Sequence, residues 1–263
     1  MPELPEVETV VRALRPHVTG RRILSVEFRQ KRVLEGPMKR SAELLAGRRI
    51  AGVGRRGKFI VFDLEGLYLT VHLGMTGRLL LARETWKHTH AVFHLEGTQM
   101  VYDDPRQFGR IQVSEAMPAH VAALGPDALT VDASEFVRAL RLRRSMIKPL
   151  LLNQRFLGGM GNIYTDEALF RARIHPRAIA SRLSPARALR LHGAMQEILE
   201  AAIRQGGSSV SDYVDAEGRK GFFQFEHRVY QKTGEPCTCC GAPIRRVLVA
   251  QRGTHYCPKC QRR

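Results

Sequence analysis

Met1-Pro2-Glu3-Leu4-Pro5-Glu6-Val7-Glu8 opens the chain, and the rest of the sequence is organised around it. If Met1 is removed, which the small Pro2 behind it permits, the mature chain begins with a secondary amine beside a carboxylate. An α-amino group titrates near about 8, against about 10.4 for lysine, so a useful fraction is unprotonated near neutrality and can attack an electrophilic carbon. The plainer reading is that Pro2 and Pro5 stiffen a terminus while the acids favour a helix start. Beyond Pro5, Val7, Val10, Val11 and Leu14 fall at i, i+3, i+4 and i+7, which predicts an amphipathic helix ending near Pro16. That helix would hold the terminal amine in place.

The chain has 263 residues, 44% of them hydrophobic, enough for one large domain or two ordinary ones with a sizeable core. Lys and Arg number 42 against 25 acids, a net charge of +17, which points to a polyanionic partner: nucleic acid first, an acidic membrane surface second. No apolar run reaches the roughly 18 residues of a membrane span, and the acidic start lacks the layout of a signal peptide. A soluble, cytoplasmic protein with no membrane partner is expected.

From Ile23 to about Val113 the sequence reads mostly as strands: 23–28, 49–53, 59–62, 68–73, 90–95 and 99–102, separated by glycine and acid punctuation. Such a meander predicts a β-sandwich or barrel. The pattern changes near Gly125-Pro126-Asp127, taken as a domain boundary, after which a helix is expected to start at Ser134. Between Phe136 and Thr165 there is no acid, while Arg138, Arg141, Arg143, Arg144, Lys148 and Arg155 are basic, a candidate phosphate-binding surface or a solvated helix face. Gly158-Gly159-Met160-Gly161-Asn162 then feeds a helix whose amides could meet an anion. Asn162 could equally be its cap. Ser184-Pro185 opens a long core helix closed by Gly206-Gly207, and Ser208 to Tyr230 reads as a long loop with aromatic anchors.

All five cysteines lie at or beyond Cys237. Cys237-x2-Cys240, sixteen residues and Cys257-x2-Cys260 have the spacing of a four-cysteine zinc ribbon, with Cys239 as the surplus thiol. One Zn2+ held by four thiolates has no open position, so it would be structural. The intervening residues 244–256 can form a β-hairpin carrying Arg245, Arg246 and Arg252. From Cys237 to Arg263 there are six basic residues and no acid, which suits a nucleic-acid contact.

Taken together, Pro2 to Thr9, Lys58, His72-Leu73-Gly74-Met75, Asp104-Pro105-Arg106-Gln107-Phe108-Gly109, Ile147-Lys148-Pro149, Gly161-Asn162-Ile163-Tyr164 and the terminal finger with Gln251-Arg252-Gly253-Thr254 resemble the formamidopyrimidine-DNA glycosylase family from end to end. The resemblance implies an α+β multidomain fold: an N-terminal β-sandwich with a catalytic N-terminal helix (residues 1–125), a helical helix-two-turn-helix domain with a lesion-capping loop (126–230) and a C-terminal four-cysteine zinc finger (231–263). It implies a bifunctional DNA glycosylase and AP lyase that excises oxidised purines (8-oxoguanine, formamidopyrimidines) from damaged double-stranded DNA in base excision repair. Pro2 would attack C1′, Glu3 would supply a proton, Glu6 would support, and Lys58 and Arg252 would complete the catalytic set. Met75, Arg106 and Phe108 would fill the gap left by the flipped nucleotide. His88, Arg143, Lys148 and Asn162 would hold phosphates. A monomer in the bacterial cytoplasm, at the nucleoid, is the implied setting.

Gln107 stands where the family commonly has a second basic residue. The region 210–223 resembles the loop that closes over an everted purine. The competing readings are an endonuclease VIII-like glycosylase for oxidised pyrimidines, against which Leu4 and the long loop argue, and a non-catalytic zinc-ribbon DNA-binding protein.

Overall fold

The computed structural model describes residues 1–210 and 212–263; Ser211, in the region 210–223 expected to close over the lesion, lies outside the described residues. Two compact units emerge: Met1–Ala123 with Gln205–Gln224, and Leu124–Arg204 with Phe225–Arg263. The first break sits beside the boundary expected at residue 125. Residues 205–224 cluster with the first unit rather than with the helical residues before them. Hydrogen bonds explain why: Ser208 N donates to Glu6 Oε1 (2.8 Å), the Tyr213 hydroxyl donates to Glu6 O (3.1 Å) and Leu81 N donates to Ala216 O (2.8 Å).

In the first unit, helix α1 (Leu4–Val18) buries Val7, Val10, Val11, Leu14 and Val18. The helix runs past Pro16, where it was expected to end. Pro16 forgoes one amide bond in the last turn, but Val18 continues the apolar face and is fully buried, which favours the extra turn. Strand β1 (Ile23–Phe28), β2 (Leu34–Glu35), helix α2 (Met38–Leu45), β3 (Gly52–Arg56), β4 (Phe59–Asp63), β5 (Tyr68–His72), β6 (Arg78–Leu81), β7 (Thr89–Leu95), β8 (Thr98–Asp103), β9 (Arg110–Ser114) and the short α3 (Ala119–Ala122) follow. The strands form two sheets, β1-β7-β8-β6 and β2-β9-β5-β4-β3, with only the two-residue β2–β9 pairing parallel. One apolar cluster joins them to α1: Phe93, Met100 and Tyr102 from the first sheet, Ile60, Phe62, Val71 and Ile111 from the second. This is the expected sandwich, with apolar side chains of both sheets turned into one shared core.

In the second unit, α4 (Ala133–Arg141), α5 (Ile147–Leu152), α6 (Asn162–Arg171) and α7 (Pro185–Arg204) precede the hairpin of β10 (Arg245–Val249) and β11 (Arg252–Tyr256). The cap of α4 is Asp132, not Ser134: its carboxylate accepts from Ser134 N and Glu135 N, a stronger acceptor for the orphan amides than a hydroxyl. Two turns over 153–161 join α5 to α6, giving the helix-two-turn-helix. Every residue from Ile163 to Phe170 is buried, so α6 is the centre of this unit, packed on α5, α7 and β11. Among the described residues no helix is long and apolar enough to cross a membrane.

Candidate active site and nucleic-acid interface

The N-terminus is a fixed part of the first unit. Pro2 is buried and Glu3 is 3% exposed, while Met1 is 47% exposed. Glu3 N donates to Glu6 Oε2 (2.8 Å), the return half of a capping box, and the other Glu6 oxygen receives Ser208 N. A carboxylate expected only to support the chemistry thus ties the start of α1 to residues 205–224. Gly207 makes that approach possible: its φ is +82°, and a Cβ there would stand 2.8 Å from Glu6 Oε1.

Lys58 is 7% exposed and occupies the turn between β3 and β4, the hairpin on which α1 packs. Arg55 sets the tip of that hairpin. Its Nε donates to Glu8 Oε2 (3.0 Å) on α1 and another guanidinium nitrogen to Gly57 O (3.0 Å). Burial alone would raise the Glu8 carboxyl, but hydrogen bonds from Arg12 and Arg55 outweigh it and hold it below the usual value. Topology therefore places Pro2, Glu3 and Lys58 on adjoining elements, with Glu8 and Arg55, which the sequence did not single out, as the fastening.

Met75 and Phe108 are 42% and 47% exposed. They stand on two loops, β5–β6 and β8–β9, and the Arg106 guanidinium lies 4.7 Å from the centre of the Phe108 ring. One fully buried carboxylate, Asp104, joins the loops. It accepts from Thr76 Oγ1 (2.6 Å), Arg106 N (3.3 Å), Gly109 N (2.9 Å) and the Tyr102 hydroxyl (3.2 Å). Its own N–H donates to His88 O (3.0 Å), which brings the fourth expected residue alongside. Burial, then the Asp104 charge, pushes the Tyr102 hydroxyl far above its ordinary value, so it remains a donor. Gly74 has φ +61°, and a Cβ there would come within 2.5 Å of Gly109 N: the two backbones touch. His72 Nδ1 accepts Gly74 N (3.1 Å), and burial, followed by the charges of Lys58, His120 and Arg110, lowers its pKa to about 4. It is neutral at pH 7.

The second unit brings Lys148, Asn162 and Arg252 together. Lys148, expected to hold a phosphate, is fully buried: its Nζ donates to Asp166 Oδ1 (2.6 Å) and Gly253 O (3.3 Å). It fastens the finger hairpin instead of presenting a charge to solvent. Asn162 is the first residue of α6 and not its cap, which is Gly161; its Nδ2 donates to the same Gly253 carbonyl (3.0 Å). Asn162 Oδ1 is buried and accepts no hydrogen bond among the described residues. Asp166 Oδ2 receives His255 N (2.8 Å). Glu167 receives Arg228, Val229 and Tyr230 N (2.8–3.0 Å), although burial raises its pKa.

The hairpin so held presents Arg252, which is exposed, just after a two-residue turn at Ala250 and Gln251 with φ of +47° and +61°. That is the turn type that favours Asn-Gly. Arg143 is exposed in the α4–α5 loop, and no hydrogen bond or ion pair among the described residues joins it to this group.

The sulfurs of Cys237, Cys240, Cys257 and Cys260 lie within 4.8 Å of one another, with 3.9 Å between Cys237 and Cys260 and 3.4 Å between Cys240 and Cys257. A tetrahedral ion with Zn–S near about 2.3 Å needs sulfurs about 3.8 Å apart, so the four fit a metal site. Cys239 is exposed and outside the cluster.

Against known proteins, residues 1–111 match the formamidopyrimidine-DNA glycosylase N-terminal domain, 124–214 its H2TH domain and 234–263 the zinc finger found in FPG and IleRS. A formamidopyrimidine-DNA glycosylase of Solibacter usitatus is 57% identical over 266 residues, covering all of both chains. Among solved structures, Thermus thermophilus MutM (FPG) aligns with a TM-score of 0.89 at 44% identity over 99% of this chain and 98% of that one. Lactococcus lactis Fpg (MutM), in complex with DNA containing N7-benzyl-Fapy-dG, aligns with a TM-score of 0.91 at 39% identity over the whole of both chains. The chain belongs to the formamidopyrimidine-DNA glycosylase family.

Proposed function

We propose that this protein is a DNA glycosylase that removes oxidised purines from duplex DNA and then cuts the strand at the resulting site. The observation that carries the reading is the terminus. Pro2 and Glu3 are buried at the head of α1, held by Glu6, where an ordinary chain end would be exposed and loose. Removal of Met1 turns the Pro2 nitrogen from an amide into a secondary amine.

That amine attacks C1′; the C1′–N bond forms, the glycosidic bond breaks, and the base leaves with the electron pair and a proton. Protonation of the sugar ring oxygen through Glu3 opens the ring and leaves an iminium, which a secondary amine cannot neutralise to an imine. Its charge acidifies the C2′ protons. Loss of one expels the 3′ phosphate, and a second elimination expels the 5′ phosphate. Lys58 serves proton transfer and phosphate contact.

Met75 and Phe108 wedge the stack, and Arg106 meets the orphaned base. His88, Arg143 and Arg252 contact phosphates; Lys148 and Asn162 act by fixing the hairpin that carries Arg252. Zn2+ is the metal that four thiolates suit, one ion, structural because it keeps no open position. The protein works as a monomer in the cytoplasm, on nucleoid DNA.

Cleavage of duplexes bearing 8-oxoguanine, formamidopyrimidine or thymine glycol, with analysis of the nicked ends, tests this reading. Preferred cutting of the purine lesions with phosphate at both ends is expected. Preference for thymine glycol would favour the pyrimidine enzyme, and no cutting would leave only a DNA-binding protein.

A further inference from the structure

The second unit holds an open cavity of about 980 Å³ that shares no residue with the groups described above as contacting DNA. Arg171 and Arg173 at the end of α6, Arg187 and Arg190 on α7, and Lys259, Arg262 and Arg263 of the finger line it beside Cys239 and the cluster cysteines Cys240 and Cys260, with no Asp or Glu. Asn162 begins α6 and Arg171 ends it, so the cavity lies about 14 Å along the helix axis from the Asn162–Gly253 contact.

Two features separate it from a solvated charged face. Its floor is rigid: buried Gln261 bridges Cys257 N (2.8 Å) and Ile174 O (2.9 Å), and His175 N donates to Arg262 O (3.0 Å). Two of its guanidiniums, those of Arg187 and Arg190, are oriented by peptide carbonyls, which do not neutralise them. Arg187 donates to Arg262 O (2.8 Å) and Arg263 O (3.2 Å), and Arg190 Nε to Ala172 O (2.9 Å). Capping the end of α6 accounts for Arg190, and Arg171 pairs with Glu197; among the described residues that is the one acidic side chain bonded to any lining residue. Burial and then the charges of Arg263 and Arg177 lower the pKa of nearby His175, in keeping with a local positive field.

We propose that this cavity is a second anion site, which takes an array of phosphate groups. The backbone of a nucleic-acid segment outside the lesion contact is the source that the concentration of preoriented guanidiniums fits best. A free oligophosphate offers the same chemistry. The site goes beyond excision and stands on other residues.

The test compares the zinc-loaded full chain with Arg173→Gln/Lys259→Gln, whose two side chains make no hydrogen bond or ion pair among the described residues. Arg173→Gln/Arg262→Gln serves as a second variant. Affinity for a long undamaged duplex is measured across salt concentrations, tripolyphosphate binding by calorimetry, and excision on a short lesion duplex. Each lost phosphate contact lowers the salt slope by about 0.9, so a fall of about 1–2 is expected with excision unchanged. An unchanged slope with loss of tripolyphosphate binding would assign the site to free oligophosphates. Unchanged slope and unchanged tripolyphosphate binding in both variants would overturn the proposal. Excision on the short duplex reads the glycosylase separately, so the two readings fail independently.

Discussion

The two loops that present Met75 and Phe108 and the hairpin that presents Arg252 are both held by one buried carboxylate, but of opposite kinds. Asp104 receives neutral donors, two hydroxyls and two amides, and what it presents is apolar. Asp166 receives a buried lysine and two nitrogens of His255, and what it presents is a charge. A neutral network loses one hydrogen bond at a time. A desolvated ion pair fails as a unit, because either partner left alone is an unpaired charge in a poor solvent for it. The difference predicts that a defect in the hairpin anchor is seen first in stability, and a defect in the wedge anchor first in DNA recognition.

Asp166→Ala is expected to have the largest effect. It strands Lys148, and a loss of about 3–5 kcal/mol is expected in denaturant unfolding. Lys148→Met/Asp166→Leu should recover most of that stability yet still bind DNA weakly, since Gly253 O loses its lysine donor. If the double variant binds like the wild type, the hairpin does not depend on this pair. Asp104→Asn comes next, with a stability loss of about 1–3 kcal/mol from donors left unmatched. Its affinity for an abasic-analogue duplex should fall much more than its affinity for undamaged duplex. Equal losses on both would deny Asp104 its part in setting the wedge.

Each region also has one histidine that burial keeps neutral. His72 beside the wedge loop and His227 before the finger both have pKa values lowered from 6.5 to about 4. The unfolded chain protonates them first as pH falls, so their stabilisation is complete above about pH 6.5 and is lost progressively towards pH 4. The lowered carboxyl of Glu8 adds to the loss at the acid end of that window. A fall in Tm on the order of 5 °C between pH 7 and pH 5 is expected, roughly halved in His72→Phe. The smallest effect is a gain: Ala250→Asn/Gln251→Gly relieves two left-handed residues and should raise stability by about 1 kcal/mol, leaving metal content unchanged.

Much of this was legible in the sequence where one physical rule acted locally. Apolar runs between glycine and acid punctuation gave β1, β4, β5, β7 and β8, the 3.6-residue period gave α1, the Ser-Pro start and Gly-Gly end gave α7, and cysteine spacing gave the metal cluster. Helix α2 was missed because Met38–Leu45 buries only Ser41 and Leu45, too little to imprint a period. β6, Arg78-Leu79-Leu80-Leu81, is a short apolar run without alternation. The 49–53 strand is displaced to Gly52–Arg56, since its register is set by Asp63 to Phe59 across the hairpin.

At the site, residue identities were readable but not their surroundings. Lys148 looks like any basic side chain until Asp166, eighteen positions later, and Gly253, over a hundred positions away, bury it. The roles of Asp104 and Arg55 were not legible for the same reason. They exist only through partners far along the chain, Thr76 for Asp104 and Glu8 for Arg55.

The central claim is that the Pro2 amine is the nucleophile, and borohydride trapping tests it most directly. Incubated with an abasic or 8-oxoguanine duplex and borohydride, the Met1-processed protein should form a stable covalent adduct with the strand, carried on Pro2 in peptide mapping. An N-terminal extension that keeps the Pro2 nitrogen an amide should abolish the adduct while leaving DNA binding in place. No adduct from the processed protein, or an adduct undiminished in the extended one, would contradict the account.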